Sequence, residues 1–101
     1  MLIYNVTTKI DPSIHENWVN WMKDTHIPDV MRTGCFTHYH FVRIVDIDDS
    51  DGPTYAVQYF LENREQYDRY IETYSTALRQ DATMLWGQLM IGFRSLMAVV
   101  N

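Results

Sequence analysis

Cysteine is almost absent. Cys35 is the only one, so no intrachain disulfide can form and one chain cannot assemble a cysteine-based metal site, which fits a reducing compartment. Basic residues are also scarce. Eight Lys and Arg stand against thirteen Asp and Glu, and the net charge of −5 has the wrong sign for phosphate backbones or anionic lipid. Neither nucleic acid nor a membrane surface is expected as a partner. Apolar runs such as Leu89-Met-Ile91 and Leu96-Met-Ala-Val-Val100 fall far short of the ~20 residues that cross a bilayer. The opening Met1-Leu-Ile-Tyr-Asn has no basic stretch and no long apolar block, so a secretory leader is not expected and the cytoplasm is the default location. No repeat, low-complexity tract or linker divides the chain.

What is present is ample material for a core: 47% of residues are hydrophobic and 14% aromatic, enough for one packed domain spanning residues 1–101. Residues 2–9 alternate with β-branched and aromatic types, the signature of a strand. A helix then begins, either at Asp11 with Pro12 in its first position or through the Ser13-Ile-His-Glu16 capping box. Ile14, Trp18, Trp21, Met22 and Thr25 form its apolar stripe. Pro28 lacks the amide that would bond Asp24 and pushes Ile27 toward extended geometry, so the helix is expected to stop or kink near His26. A short turn restarting at Pro28 would close at Gly34.

Residues 35–47 and 54–61 read as two strands joined by the Asp48-to-Pro53 turn. Asn63 caps a second helix with Tyr67, Tyr70, Ile71 and Tyr74 on one face, continued after a break near Ser75 by Ala77, Leu78, Ala82 and Leu85. Gly87 ends it, and residues 88–100 form the last strand. The order is β-α-β-β-α-β. That is the ferredoxin-like α+β pattern, a four-stranded antiparallel sheet with both helices on one face.

Alternation divides that sheet. Tyr4, Val6, Tyr39, Phe41, Tyr55, Val57, Tyr59, Leu89, Ile91 and Phe93 are assigned to the helix-covered face. The other face carries Ile3, Phe36, Val42, Phe60 and Leu96 with the polar Asn5, His38, His40, Gln58 and Arg94. Five large apolar side chains left in water would each forfeit about 1.5–3 kcal/mol. A second copy of the chain is therefore expected to cover them, giving a homodimer with facing sheets and a partly polar cavity between them.

The segment Trp18-x-x-Trp21-Met22-x-x-x-His26-Ile27-Pro28-x-Val30-Met31-x-x-Gly34, the opening Leu2-Ile-Tyr-Asn-Val6, Tyr55-Ala-Val-Gln-Tyr59-Phe60, and Tyr74-Ser-Thr-Ala-Leu-Arg-Gln80 carry a resemblance over essentially the whole chain. Together they resemble a small bacterial family of unknown function, similar to the dimeric α+β barrel superfamily of stress-responsive barrel proteins, EthD-like proteins and cofactor-independent (ABM-type) monooxygenases. The resemblance implies paired sheets and, in active members, a small, often aromatic substrate between helices and sheet or within the barrel. Asn5 resembles the first-strand asparagine of haem-degrading and quinone-forming monooxygenases. Their partners are missing, because the third strand has no tryptophan and no histidine follows His40, so haem chemistry is not implied. His26 resembles the helix-end histidine of EthD-like proteins.

Two roles stay open for His26: a general base, titrating near neutrality, or a structural residue that bonds a carbonyl freed by Pro28. His38 and His40, two residues apart on a strand, point the same way, but two imidazoles do not make a metal site and no metal is assigned. Asp46, Asp48, Asp49 and Asp51 suggest a calcium loop, yet Asp51 replaces the required glycine and Val57 the bidentate glutamate. An RNA-recognition domain shares the element order, but the basic and glycine residues that open its motif are missing and the chain is acidic. Two functions remain. One is a small-molecule-binding or structural homodimer without cofactor. The other is a cofactor-independent enzyme using His26 or His38 as base, with Asn5, His40, Gln58 and Arg94 binding the ligand.

Overall fold

The computed structural model describes residues 1–101. Four antiparallel strands, β1 (Leu2–Ile10), β2 (His38–Arg43), β3 (Thr54–Leu61) and β4 (Met90–Ala98), lie in the order β2-β3-β1-β4. Helices α1 (His15–Trp21), α2 (Ile27–Met31), α3 (Arg64–Thr73) and α4 (Ser75–Trp86) fill the two crossovers and give the expected β-α-β-β-α-β fold. The core between helices and sheet includes Tyr4, Ile10, Trp18, Ile27, Val30, Phe36, Val57, Tyr59, Leu61 and Tyr70.

The first helical stretch starts at Asp11, whose carboxylate accepts from the Ser13 amide while Pro12 opens a short 3-10 turn. Pro28 does not stop it. Met22–His26 is a π turn, in which the Ile27 amide donates to the Met22 carbonyl five residues back, and Ile27 itself stays helical at φ −60°. The wider turn absorbs the missing proline amide without a break. It also rotates the inward face by one residue, so Thr25 is exposed and His26 turns in beneath Trp21, the rings stacking at 4.8 Å. Gly34, at φ +74°, ends α2 as expected.

In the second crossover Asn63 Oδ1 accepts from the Gln66 amide, the cap its sequence suggests. The break falls at Tyr74. It rephases α4 so that Ser75, Leu78, Ala82 and Trp86 turn inward, whereas Ala77 and Leu85 are exposed. Strand β2 is shorter than its composition suggests, and Phe36 precedes it, packed in the core against Tyr59 and Tyr70.

The largest departure concerns β4. Its register sets Leu96 opposite Tyr4, Arg94 opposite Val6 and Gly92 opposite Thr8, so Arg94 and Leu96 lie on the helix side. Ile91, Phe93 and Met97 lie on the bare side, where Ile91 and Phe93 are 74% and 65% exposed. An apolar strand at a sheet edge gives no internal signal of which alternate set faces the helices. The covered set here contains a glycine and an arginine because a cavity, not packed core, lies against it.

Candidate functional site

On the bare side, cross-strand pairing lines side chains up in rows. His38, Phe60, Ile3 and Met97 form one apolar-rich row, and Val42, Ala56, Thr7 and Phe93 another. Between them runs a wholly polar row, His40, Gln58, Asn5 and Ser95, across all four strands. The His38 ring stacks on Phe60 at 4.2 Å, and His40 meets the same ring edge-on at 5.2 Å. The Asn5 amide donates to Thr7 Oγ1 at 3.0 Å. No group of three or more His, Cys, Asp or Glu side chains comes together as a metal-binding set.

The cavity lies on the opposite face. Between the helices and the β1–β4 side of the sheet is a space of about 370 Å³, within the size range of small-molecule sites. Its floor is buried: Tyr4, Trp18, Met22, Val57, Tyr59 and Tyr70, with Ala82 from α4. Its exposed margin carries Arg79 and Thr83 from α4, Gly87 at the end of that helix, and Gly92 and Arg94 from β4. None of the lining residues is acidic.

Of the site residues read from sequence, the structure brings His26 and Arg94 to this cavity and leaves Asn5, His38, His40 and Gln58 on the bare face. His26 and His38 thus stand on opposite sides of the sheet. The Arg94 guanidinium donates to the Tyr4 hydroxyl at a long 3.5 Å. Burial pushes the Tyr4 hydroxyl up from its usual acidity, with Arg94 pulling back, and burial raises Tyr59 and Tyr70 as well, so all three remain protonated donors. Burial lowers the pKa of His26, opposed by the charges of Asp29 and Asp81, and leaves a neutral imidazole able to accept a hydrogen bond. Trp21 bridges His26 and Trp86, whose rings lie 4.8 and 5.8 Å from its own. The buried indole nitrogens of Trp18 and Trp86 have no partner.

Sequence reasoning did not single out Tyr4, Tyr70 and Trp21 as cavity residues, because aromatic residues at helix and strand spacing look like core, nor Arg79, an exposed residue on α4 with no local motif around it. The π turn over Met22–His26 aims the imidazole inward, and no local pattern announces it.

Strand order, connectivity and the cavity beneath the helices define a ferredoxin-like α+β domain. The family described as domain of unknown function (DUF4286) matches residues 1–100, and the chain belongs to it. This bears out the family resemblance read from the sequence. Among solved structures, the chain is similar to an EthD family protein from Bacillus halodurans, at 16% identity and TM-score 0.71 over 99% of this chain and 100% of that one. A dimeric ferredoxin-like protein from an uncultured marine organism aligns at 10% identity and TM-score 0.75 over 99% of this chain and 96% of that one. An antibiotic biosynthesis monooxygenase aligns at 17% identity and TM-score 0.67 over the full length of both. Identities this low establish the shared fold alone. Curated protein sequences give no match.

Proposed function

We propose that this chain is a cytoplasmic, single-domain homodimer that binds a small molecule between its helices and sheet. The observation that carries the reading is the cavity of about 370 Å³, closed below by buried aromatic and aliphatic side chains and edged by polar ones. His26 serves as a hydrogen-bond acceptor inside it and Arg94 as a tether at its edge. The bare face is the dimer contact. Ile3, Val42, Phe60, Ile91, Phe93 and Met97 share that face, and each would recover about 1.5–3 kcal/mol when fully buried against a second copy. The pairing named for the marine ferredoxin-like relative accords with this. In such a dimer His38, His40, Gln58 and Asn5 meet the partner sheet, where the polar row fixes register between apolar rows.

Binding rather than turnover fits the side chains available. The two candidate bases are separated by the sheet, so His26 and His38 cannot act on one ligand, and no lining residue is a carboxylate that could orient the His26 imidazole. No helix is long and apolar enough to cross a membrane, and the charge of −5 argues against nucleic acid.

Trp18 and Trp21 line the cavity, so occupancy reads out in tryptophan emission. Titration with two-ring aromatic compounds is expected to change that emission saturably. Ala82→Phe, which fills the cavity from α4, is expected to weaken the response by ~10-fold or more while the far-ultraviolet spectrum stays native. Unchanged affinity in the folded variant would place binding elsewhere.

A further inference from the structure

Arg79 and Arg94 reach the mouth of the cavity from different elements, α4 and β4. Neither has a carboxylate partner. The ion pairs of the chain are Lys9 with Asp51, Arg32 with Asp29, Arg43 with Asp49 and Arg64 with Asp68. Lys23 and Arg69 also lack ion pairs, but only Arg79 and Arg94 stand together at an opening whose lining includes no acid, in a protein with thirteen acidic residues and eight basic ones. Asp29 and Asp81 act through their charges on His26, and neither is among the lining residues.

We propose that the cavity binds a small aromatic carboxylate, with its ring on the aromatic floor and its carboxylate between Arg79 and Arg94. This rests on the binding reading above and names the ligand class for it. A guanidinium offers five N–H donors in a planar fork that matches a carboxylate, and Arg94 uses one donor on Tyr4. Arg94 is exposed and its other donors have no partner within the chain, which leaves them for a ligand. Both arginine charges also act on the Tyr4 and Tyr70 hydroxyls, so the cationic field extends from the mouth to the floor.

The apolar part sets the rest of the ligand. Trp18, Trp21, Tyr4 and Tyr70 present ring faces and edges suited to a flat aromatic body. An inorganic anion would leave this floor empty, and a neutral hydrocarbon would leave both guanidinium groups unused. One molecule with a ring and a carboxylate satisfies both halves.

The test is calorimetric titration of the full chain with 2-naphthoate and with its uncharged analogue 2-naphthamide. The wild type is expected to prefer the carboxylate by at least ~10-fold, the discrimination of a charge-assisted pair at an accessible site. Arg94→Gln and Arg79→Gln are each expected to weaken binding of the carboxylate much more than that of the amide and so to shrink that preference several-fold. Equal binding of both compounds by the wild type overturns the carboxylate assignment and leaves the cavity as a binding site for neutral ligands. A preference that survives in both folded variants also overturns it, because the carboxylate is then held elsewhere. Binding of neither compound, with no change in tryptophan emission, overturns the binding reading and this assignment with it.

Discussion

At the scale of single residues, His26 shows how position decides chemistry. The sequence offered a general base or a residue tidying up after Pro28, and the structure gives the imidazole a stacked, mostly buried seat against Trp21. Its pKa lies below the usual 6.5 because burial disfavours the charged form. The unfolded chain therefore binds a proton on this residue before the folded chain does. Stability from this site is complete above pH ~6.5 and falls as the pH drops toward the lower folded value. His26→Phe keeps the stack and removes the proton, so its urea midpoint should vary less between about pH 7.5 and 5 than that of the wild type. An identical pH profile would mean that His26 titrates freely in the folded state. Arg94 gives the complementary lesson. The sequence reading put it on the bare face and the register puts it on the helix side, since one position of slip along a strand moves a side chain to the other side of the sheet.

At the scale of elements, the sequence was most readable where local chemistry dominates. The Asp11 and Asn63 caps, the Gly34 stop and the break beside Ser75 all follow from hydrogen-bonding or conformational needs of the residues themselves. The π turn was not legible, because a proline amide deficit can be met by a kink or by a wider turn, and only packing chooses. Strand β4 was misphased for a related reason. Leu89, Ile91 and Phe93 alternate as a core face should, yet Ile91 and Phe93 belong to the bare side of an edge strand. Phe93→Lys tests that phase and the dimer together. With Phe93 on the bare face, the variant protomer should remain folded, its own stability shifted by no more than about 0.5 kcal/mol, while sedimentation reports a monomer in place of a dimer. Had Phe93 faced the helices, a buried lysine would unfold the chain instead.

At the scale of the whole molecule, the two faces of the sheet differ in character, and the proposed function gives each a separate task. One face carries apolar rows with a polar row between them and suits a second copy of the chain. The other carries a cavity with an aromatic floor and a cationic mouth. Composition and element order made the fold legible, and the exposed apolar surplus is the feature on which the proposed self-association rests. The cavity was not, because its floor uses the same aromatic types as an ordinary core and its mouth depends on how far α4 stands from β4. Sequence reasoning placed Arg94 on the bare face with Asn5, His40 and Gln58, and the structure brings it to the cavity on the other side, with His26.

The most direct measurement of that division is a heteronuclear NMR titration of the full chain with 2-naphthoate, following side-chain signals that belong to one face only. The account predicts progressive shifts of the Trp18 and Trp21 indole signals and of the Leu78, Ala82 and Thr83 amides. The Asn5 and Gln58 side-chain amides, on the other side of the sheet, should stay where they are. Shifts at Asn5 and Gln58 with unmoved indole signals would contradict it.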